Sequence, residues 1–127
     1  MLQKYPLYAY IPVKDVPRAR RFYETKVGLK PGREIAGGVE YAFGEHTAAF
    51  LYPTPNAGTS QASQAFWVVD DVEREVKDLK SRGVAFEDYD MPGMKTVNGV
   101  ASTEGGKAAW FKDTEGNIMA LIEGPKH

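Results

Sequence analysis

The sequence predicts an α+β fold made of two β-α-β-β-β modules, and three repeated features predict it. The strand-to-helix junction occurs twice, as Val13-Lys14-Asp15-Val16 and as Val69-Asp70-Asp71-Val72. The helix exit occurs twice, as Val27-Gly28-Leu29 and as Arg82-Gly83-Val84. A glycine-led strand also recurs: Gly37-Gly38-Val39-Glu40-Tyr41-Ala42-Phe43 parallels Gly105-Gly106-Lys107-Ala108-Ala109-Trp110-Phe111, each followed by a turn and an apolar strand. A single domain over 1–127 holds both, with module 1 over about 5–53, a linker over about 54–63 and module 2 over about 64–124.

Tyr5 to Val13 is rich in Tyr, Ile and Val and is bounded by Pro6 and Pro12, which predicts a strand. Asp15 then offers a capping carboxylate, and Pro17 sits at an early helical position where its missing N–H costs nothing. Val16, Ala19, Phe22, Tyr23 and Val27 fall on one helical face, and Gly28 supplies the left-handed stop. Pro31-Gly32 leads into three short strands, Arg33–Ala36, Val39–Phe43 and Thr47–Tyr52, separated by Gly37-Gly38 and Gly44-Glu45-His46. The linker is small and polar, without an apolar period.

In the second module Gln64–Val69 reads as a strand, and Asp70-Asp71-Val72 opens a helix whose Val72, Val76 and Leu79 form the buried stripe, ended by Gly83. There follow a strand around Val84–Tyr89, a long Gly/Pro/Asn loop over Met91–Glu104, a strand over Lys107–Phe111, a turn at Asp113–Asn117 and a last strand, Ile118–Glu123.

Composition removes several function classes. The chain has 127 residues, with 16 Lys plus Arg against 17 Asp plus Glu, a formal charge of -1 and no cysteine. Thiolate nucleophiles, iron-sulfur ligation and cysteine-based zinc sites are excluded. A near-neutral balance argues against nucleic acid, which needs a concentrated cationic face. Arg18, Arg20 and Arg21 read as the solvated side of a helix. No apolar run reaches the roughly 20 residues that span a bilayer, and Met1–Pro6 lacks the character of a secretory signal, so a soluble, cytoplasmic protein without membrane contact is expected. Of two histidines, His46 falls in a turn and reads as a surface residue, and His127 is terminal.

Val13-Lys14-Asp15-Val16 with Phe22-Tyr23-Glu24, Val68-Val69-Asp70-Asp71-Val72 with Lys80-Ser81-Arg82-Gly83-Val84, and the closing Phe111-Lys112-Asp113-Thr114-Glu115-Gly116-Asn117 together resemble the vicinal oxygen chelate superfamily. That family includes glyoxalase I, bleomycin resistance proteins and extradiol dioxygenases. Thr114 stands where the family's closing signature usually has Pro. The resemblance implies a half-open mixed-sheet barrel of two cups around a cavity, and a homodimer. It barely constrains activity, since the fold hosts lyases, dioxygenases, epimerases, thiol transferases and binding proteins.

Metal-using members carry His, Glu or Gln on the first and last strands of each module. The resemblance carries those positions here onto Tyr8 and Gln64, seven residues before Asp15 and Asp71, and onto Ala120, three after Asn117. In the first module the choice is open among Ala48, Ala49, Phe50 and Leu51, none of which has a donor. A divalent ion needs three or four converging donors to offset the loss of its water, so no metal and no other cofactor is expected.

Strand alternation carries the same reading further. With Tyr8 and Gln64 facing the cup, Tyr10 and Phe66 face it too, and the repeat turns Trp110 and Ala120 inward, so that the expected ligand-binding lining is Tyr8, Tyr10, Gln64, Phe66, Trp110 and Ala120. Met91 and Met94 in the long loop are expected to form a lid, because thioether side chains adapt to varied shapes. Glu40, Glu87 and Tyr8 are the acid-base candidates for catalysis without metal. However, no carboxylates are paired at fixed spacing and no Ser-His-Asp order can be built. The expectation is a metal-free protein that binds a small aromatic or hydrophobic molecule and has no catalytic residue. The alternatives are a metal-dependent lyase or dioxygenase, or a metal-free isomerase or lyase.

Overall fold

The computed structural model describes residues 1–103 and 106–123. It divides into two compact units, one of Met1–Ser60 with Thr114–Asn117, the other of 61–113 with the chain from Ile118 onward. His127 and the Glu104-Gly105 end of the expected long loop lie outside the described residues.

In the first unit β1 (Ala9–Val13) is followed by α1 (Val16–Arg21), and then by β2 (Glu34–Ile35), β3 (Gly38–Ala42) and β4 (Ala48–Pro53). The sheet order is β1-β4-β3-β2, with β1 parallel to β4 and the other pairs antiparallel. Asp15 caps α1 as expected, accepting the Arg18 N–H at 3.0 Å. The helix does not stop at Arg21 but widens into a π-turn over Phe22–Lys26, closed by the Val27 N–H on the Phe22 carbonyl at 3.1 Å. One oxygen of Glu24, on that widened turn, accepts from both Arg20 (2.7 Å) and the buried Tyr41 hydroxyl (2.8 Å). Burial and the hydrogen bond to Glu24 together raise the Tyr41 pKa well above that of a free phenol.

The helix covers one face of this sheet. Ala19, Phe22 and Tyr23 are buried with Ile11, Val13, Val39, Tyr41 and Leu51, so alternate residues of β1, β3 and β4 form the core. The first strand is shorter than predicted: Tyr5–Tyr8 lies outside β1, and β4 finds its parallel partners only from Ala9 to Val13.

The second unit repeats the plan and then extends it. β5 (Ser63–Val69) leads into α2 (Val72–Ser81), capped by Asp71, which accepts the Arg74 N–H at 3.1 Å. Val72, Val76 and Leu79 are buried as the spacing predicts. The expected strand over Val84–Tyr89 is reduced to one bridge, Phe86 to Phe111, and the expected loop over Met91–Glu104 is instead a meander. β6 (Asp90–Met91), β7 (Met94–Val97) and β8 (Val100–Thr103) zigzag outward from β9 (Gly106–Lys112) and β10 (Ile118–Glu123). The order is β5-β10-β9-β8-β7-β6, with β5 parallel to β10, the same winding as the first unit plus two outer strands.

Two-residue turns make the meander. Asn98 (φ 54°) and Gly99 (φ 84°) join Val97 to Val100 with the left-handed backbone that matches strand twist, and Pro92-Gly93 joins Met91 to Met94. Asp88 braces the first turn, accepting from the Gly99 N–H at 2.9 Å and from Thr96 Oγ1 at 2.7 Å.

The turn Thr114–Asn117 is tied into the first unit. Glu115 accepts from the Lys14 N–H (2.9 Å), the Asp15 N–H (3.0 Å) and both Nε and Nη2 of Arg18 (2.8 and 3.0 Å), while Asn117 Nδ2 donates to the Pro12 carbonyl at 2.8 Å. Gly58 passes so close that a Cβ there would lie 2.3 Å from the Glu115 carbonyl oxygen. Burial pushes the Glu115 carboxyl up, but hydrogen bonds from Arg18, the Asp15 N–H, Thr114 and the Lys14 N–H outweigh it and hold the group at about 2.

Because that value lies below the unfolded one, the stabilisation is present above about pH 4.5 and is lost as pH falls toward 2. Glu115→Gln is expected to cost about 2–3 kcal/mol at neutral pH. Urea midpoints of the variant, measured from pH 5 to pH 2, should then fall less steeply than those of the wild type. Parallel slopes would contradict the assignment.

Candidate functional site

Helices cover one face of each sheet, and the opposite faces carry the side chains that the sequence marks as a binding surface. In the first unit Tyr10 pairs with Phe50 across β1 and β4, and Pro12 pairs with Tyr52, so these side chains share the face away from α1. Tyr10 and Tyr52 meet edge-on with centroids 5.0 Å apart, Tyr10 and Phe50 do so at 6.3 Å, and Phe50 and Tyr52 stack at 6.3 Å. Tyr10 is 62% exposed and Tyr8, just before the strand, 52%.

In the second unit the register places Phe66, Ala120 and Trp110 side by side across β5, β10 and β9, with Val68, Ile122 and Ala108 in the next row. Phe66 is 57% exposed and Val68 74%, whereas Ala120 is buried. Gln64 also lies on β5, beside a register shift between Ile118 and Met119. Tyr89 lies edge-on to Trp110 at 5.6 Å. On the helix side Trp67 stacks on Phe111 at 6.3 Å and Phe86 meets it edge-on at 5.6 Å. Tyr10 thus clusters with Phe50 and Tyr52 in one unit, and Phe66, Trp110 and Ala120 form a row in the other. Met91 and Met94 pair across the Pro92-Gly93 turn, in a hairpin rather than a loop.

Register also identifies the open position of the first module. Tyr10 and Phe66 each stand five residues before a capping Asp; the partner of Phe66 on the last strand is Ala120, and that of Tyr10 is Phe50. On the positions that the resemblance assigns to ligands the chain has Tyr8, Gln64 and Ala120, with Phe50 as the register counterpart of Ala120. A phenol and an amide are the only donor groups in that set, and Phe50 and Ala120 can supply none, so these residues do not fit a divalent ion. Among the described residues no group of three or more His, Asp or Glu could hold one. Glu45 and His46 lie exposed on a turn with φ of 59° and 61°.

The carboxylates considered for acid-base work are charge-compensated: Glu40, beside Phe50, lies 3.9 Å from Arg33, and Glu87 lies 3.5 Å from Lys112. Sequence reasoning passed over Phe50, Tyr52 and Tyr89 as lining residues. For the first two the signal was available in the alternation of Ala48-Ala49-Phe50-Leu51-Tyr52, which puts both rings opposite the buried Ala49 and Leu51.

The family model described as the glyoxalase/bleomycin resistance protein/dioxygenase superfamily matches residues 6–121. Among solved structures, TnmS3, an antibiotic binding protein from Streptomyces sp. CB03234, is similar with a TM-score of 0.65 and 23% identity over 98% of this chain and 99% of that one. A glyoxalase/bleomycin resistance protein/dioxygenase from Alicyclobacillus acidocaldarius gives a TM-score of 0.72 and 18% identity over 97% and 93%. A glyoxalase/bleomycin resistance protein from Catenulispora acidiphila gives 0.67 and 23% over 94% and 98%. At these identities the likeness is one of fold. No curated protein matches the sequence.

The two faces should respond differently to truncation. Phe66→Ala removes a ring already in water and is expected to cost less than about 1 kcal/mol, while Phe111→Ala empties a helix-covered core and should cost about 3–5 kcal/mol. Urea unfolding of both variants checks this; equal losses would mean that Phe66 is core.

Proposed function

The chain belongs to the glyoxalase/bleomycin resistance protein/dioxygenase superfamily, and from that premise we propose that it binds a small aromatic or hydrophobic organic molecule without a metal ion. The observation that carries this reading is the chemistry of the sheet faces opposite the helices. They bear exposed or half-exposed rings at Tyr10, Phe50, Tyr52, Phe66 and Trp110; the positions that the resemblance assigns to metal ligands include a phenyl and a methyl group, at Phe50 and Ala120.

Rings of this kind hold planar molecules by stacking, and a few polar tips then fix orientation. The hydroxyls of Tyr8, Tyr10 and Tyr52 and the Gln64 amide are polar tips of that kind. Binding of an antibiotic-like compound has a precedent in TnmS3, an antibiotic binding protein of the same fold. Met91 and Met94 remain candidates for contacts that adapt to ligand shape.

A homodimer belongs to the same reading: Tyr10 in the first unit, and Phe66 and Val68 in the second, are exposed apolar side chains that a second copy would shield. A soluble, cytoplasmic location is consistent with the absence, among the described residues, of any helix long and apolar enough to cross a membrane.

Protein produced with added Ni, Zn, Fe and Mn is expected to retain only substoichiometric metal after desalting. Tryptophan fluorescence should be quenched by members of a panel of aromatic metabolites and antibiotics, and Trp110→Phe should remove that response, leaving the signal of Trp67. Stoichiometric metal that Gln64→Ala releases would refute the metal-free reading; a silent panel would refute the binding role.

A further inference from the structure

The sheet of the second unit is wider than its helix. Six strands spaced about 4.8 Å apart span more than twice the roughly 10 Å diameter of one helix. α2 packs on β8, β9 and β10, so β7 extends beyond its cover. Val100 pairs with Ala109, which places it on the helix side, and its hairpin partner Val97 is 64% exposed. The result is a groove of about 770 Å³ between α2 and the β7–β8 hairpin, floored by Val76, Val97 and Val100 and flanked by Lys77, Lys80 and Lys95. It lies on the opposite side of the sheet from the Phe66-Ala120-Trp110 row.

Its charge is one-sided in a chain whose formal net charge is -1. The acid lining the groove, Glu73, is neutralised by Lys107. Lys80 is held in place by the Asn98 carbonyl at 2.8 Å and is partly offset by Asp88, whose carboxyl is lowered first by the Thr96 hydroxyl and then by the Gly99 N–H and Lys80. Among the described residues Lys77 and Lys95 have no ion-pair partner. Two ammonium groups outside any ion pair beside one apolar floor suit a ligand with an anionic head and a hydrocarbon body, because the head recovers Coulomb energy while the body covers the exposed Val97.

We propose that this groove binds a small amphipathic organic anion, with its carboxylate or phosphate between Lys77 and Lys95 and its apolar part on Val76, Val97 and Val100. The site is separate from the aromatic surface, and the proposal does not depend on the function argued for that surface.

Amide-resolved NMR titrations of the full chain with octanoate, octyl phosphate and octan-1-ol test it. The two anions should shift the amides of Lys77, Val97, Asn98 and Val100, and which binds more tightly separates a carboxylate from a phosphate ligand. Octan-1-ol should bind at least tenfold more weakly, and Lys77→Glu with Lys95→Glu should weaken the anions about tenfold, the ratio that 1.4 kcal/mol produces. Both lysines are exposed, and an unchanged far-ultraviolet spectrum will show that the double variant is folded. Equal binding of the alcohol, unchanged affinity in the folded double variant, shifts confined to Phe66, Trp110 and Ala120, or binding only to anionic phospholipid vesicles would each overturn the proposal.

Discussion

The period-two alternation of side chains along β1 and β5 governs the rest of the structure. Once α1 lies on Ile11 and Val13, the intervening Tyr10 and Pro12 must stand on the other face. A one-residue slip would bury the tyrosines and expose the core, so the register cannot drift. The same constraint acts in the second unit, where Trp67 packs on Phe111 and thereby leaves Phe66 and Val68 uncovered. The exposed rings thus follow from the way the core is built.

A second constraint acts on the helix entry of the first unit. Lys14, Asp15 and Arg18 present backbone and guanidinium donors at the start of α1, and Glu115 satisfies them from a turn about 100 residues further along the chain. Glu123 does the corresponding work for α2, accepting the Val72 N–H at 2.9 Å. The closing signature of the sequence is therefore explained by structure: Glu115 neutralises a helix entry, Gly116 fits beside Gly58, and Asn117 donates to the Pro12 carbonyl. These residues hold the strand that carries Tyr10 and Pro12, and so act on the site at one remove.

Much of this was legible in the sequence because it is local. Asp15 and Asp71 announced both helix starts, Gly28 and Gly83 adopt the left-handed stops expected of them, and alternation alone assigned Tyr10 and Phe66 to the open faces. The meander was misread because Met91–Glu104 is dense in Gly, Pro and Asn, which suggests irregular chain, although Asn98-Gly99 between Val97 and Val100 is itself a hairpin signal. The strand expected over Val84–Tyr89 fails because β8 already occupies the edge of β9 from Gly106 to Ala109, leaving only Phe111 for Phe86. The partnership of Glu115 with Arg18 was out of reach, since no periodicity links residues so far apart, and the correspondence of Phe50 to Ala120 needed the pairing of β1 with β4.

The chain combines a family scaffold with exposed or half-exposed rings on the sheet faces opposite the helices, and the proposed function rests on those rings. The most direct test is an aromatic-region NMR screen of selectively labelled protein against planar heteroaromatic compounds, run with and without a strong chelator. The account predicts that signals of Tyr10, Phe50, Tyr52, Phe66 and Trp110 shift equally in both conditions, while those of Tyr23, Tyr41 and Phe111 stay fixed. Binding that disappears with the chelator, or that perturbs the helix-covered rings instead, would contradict it.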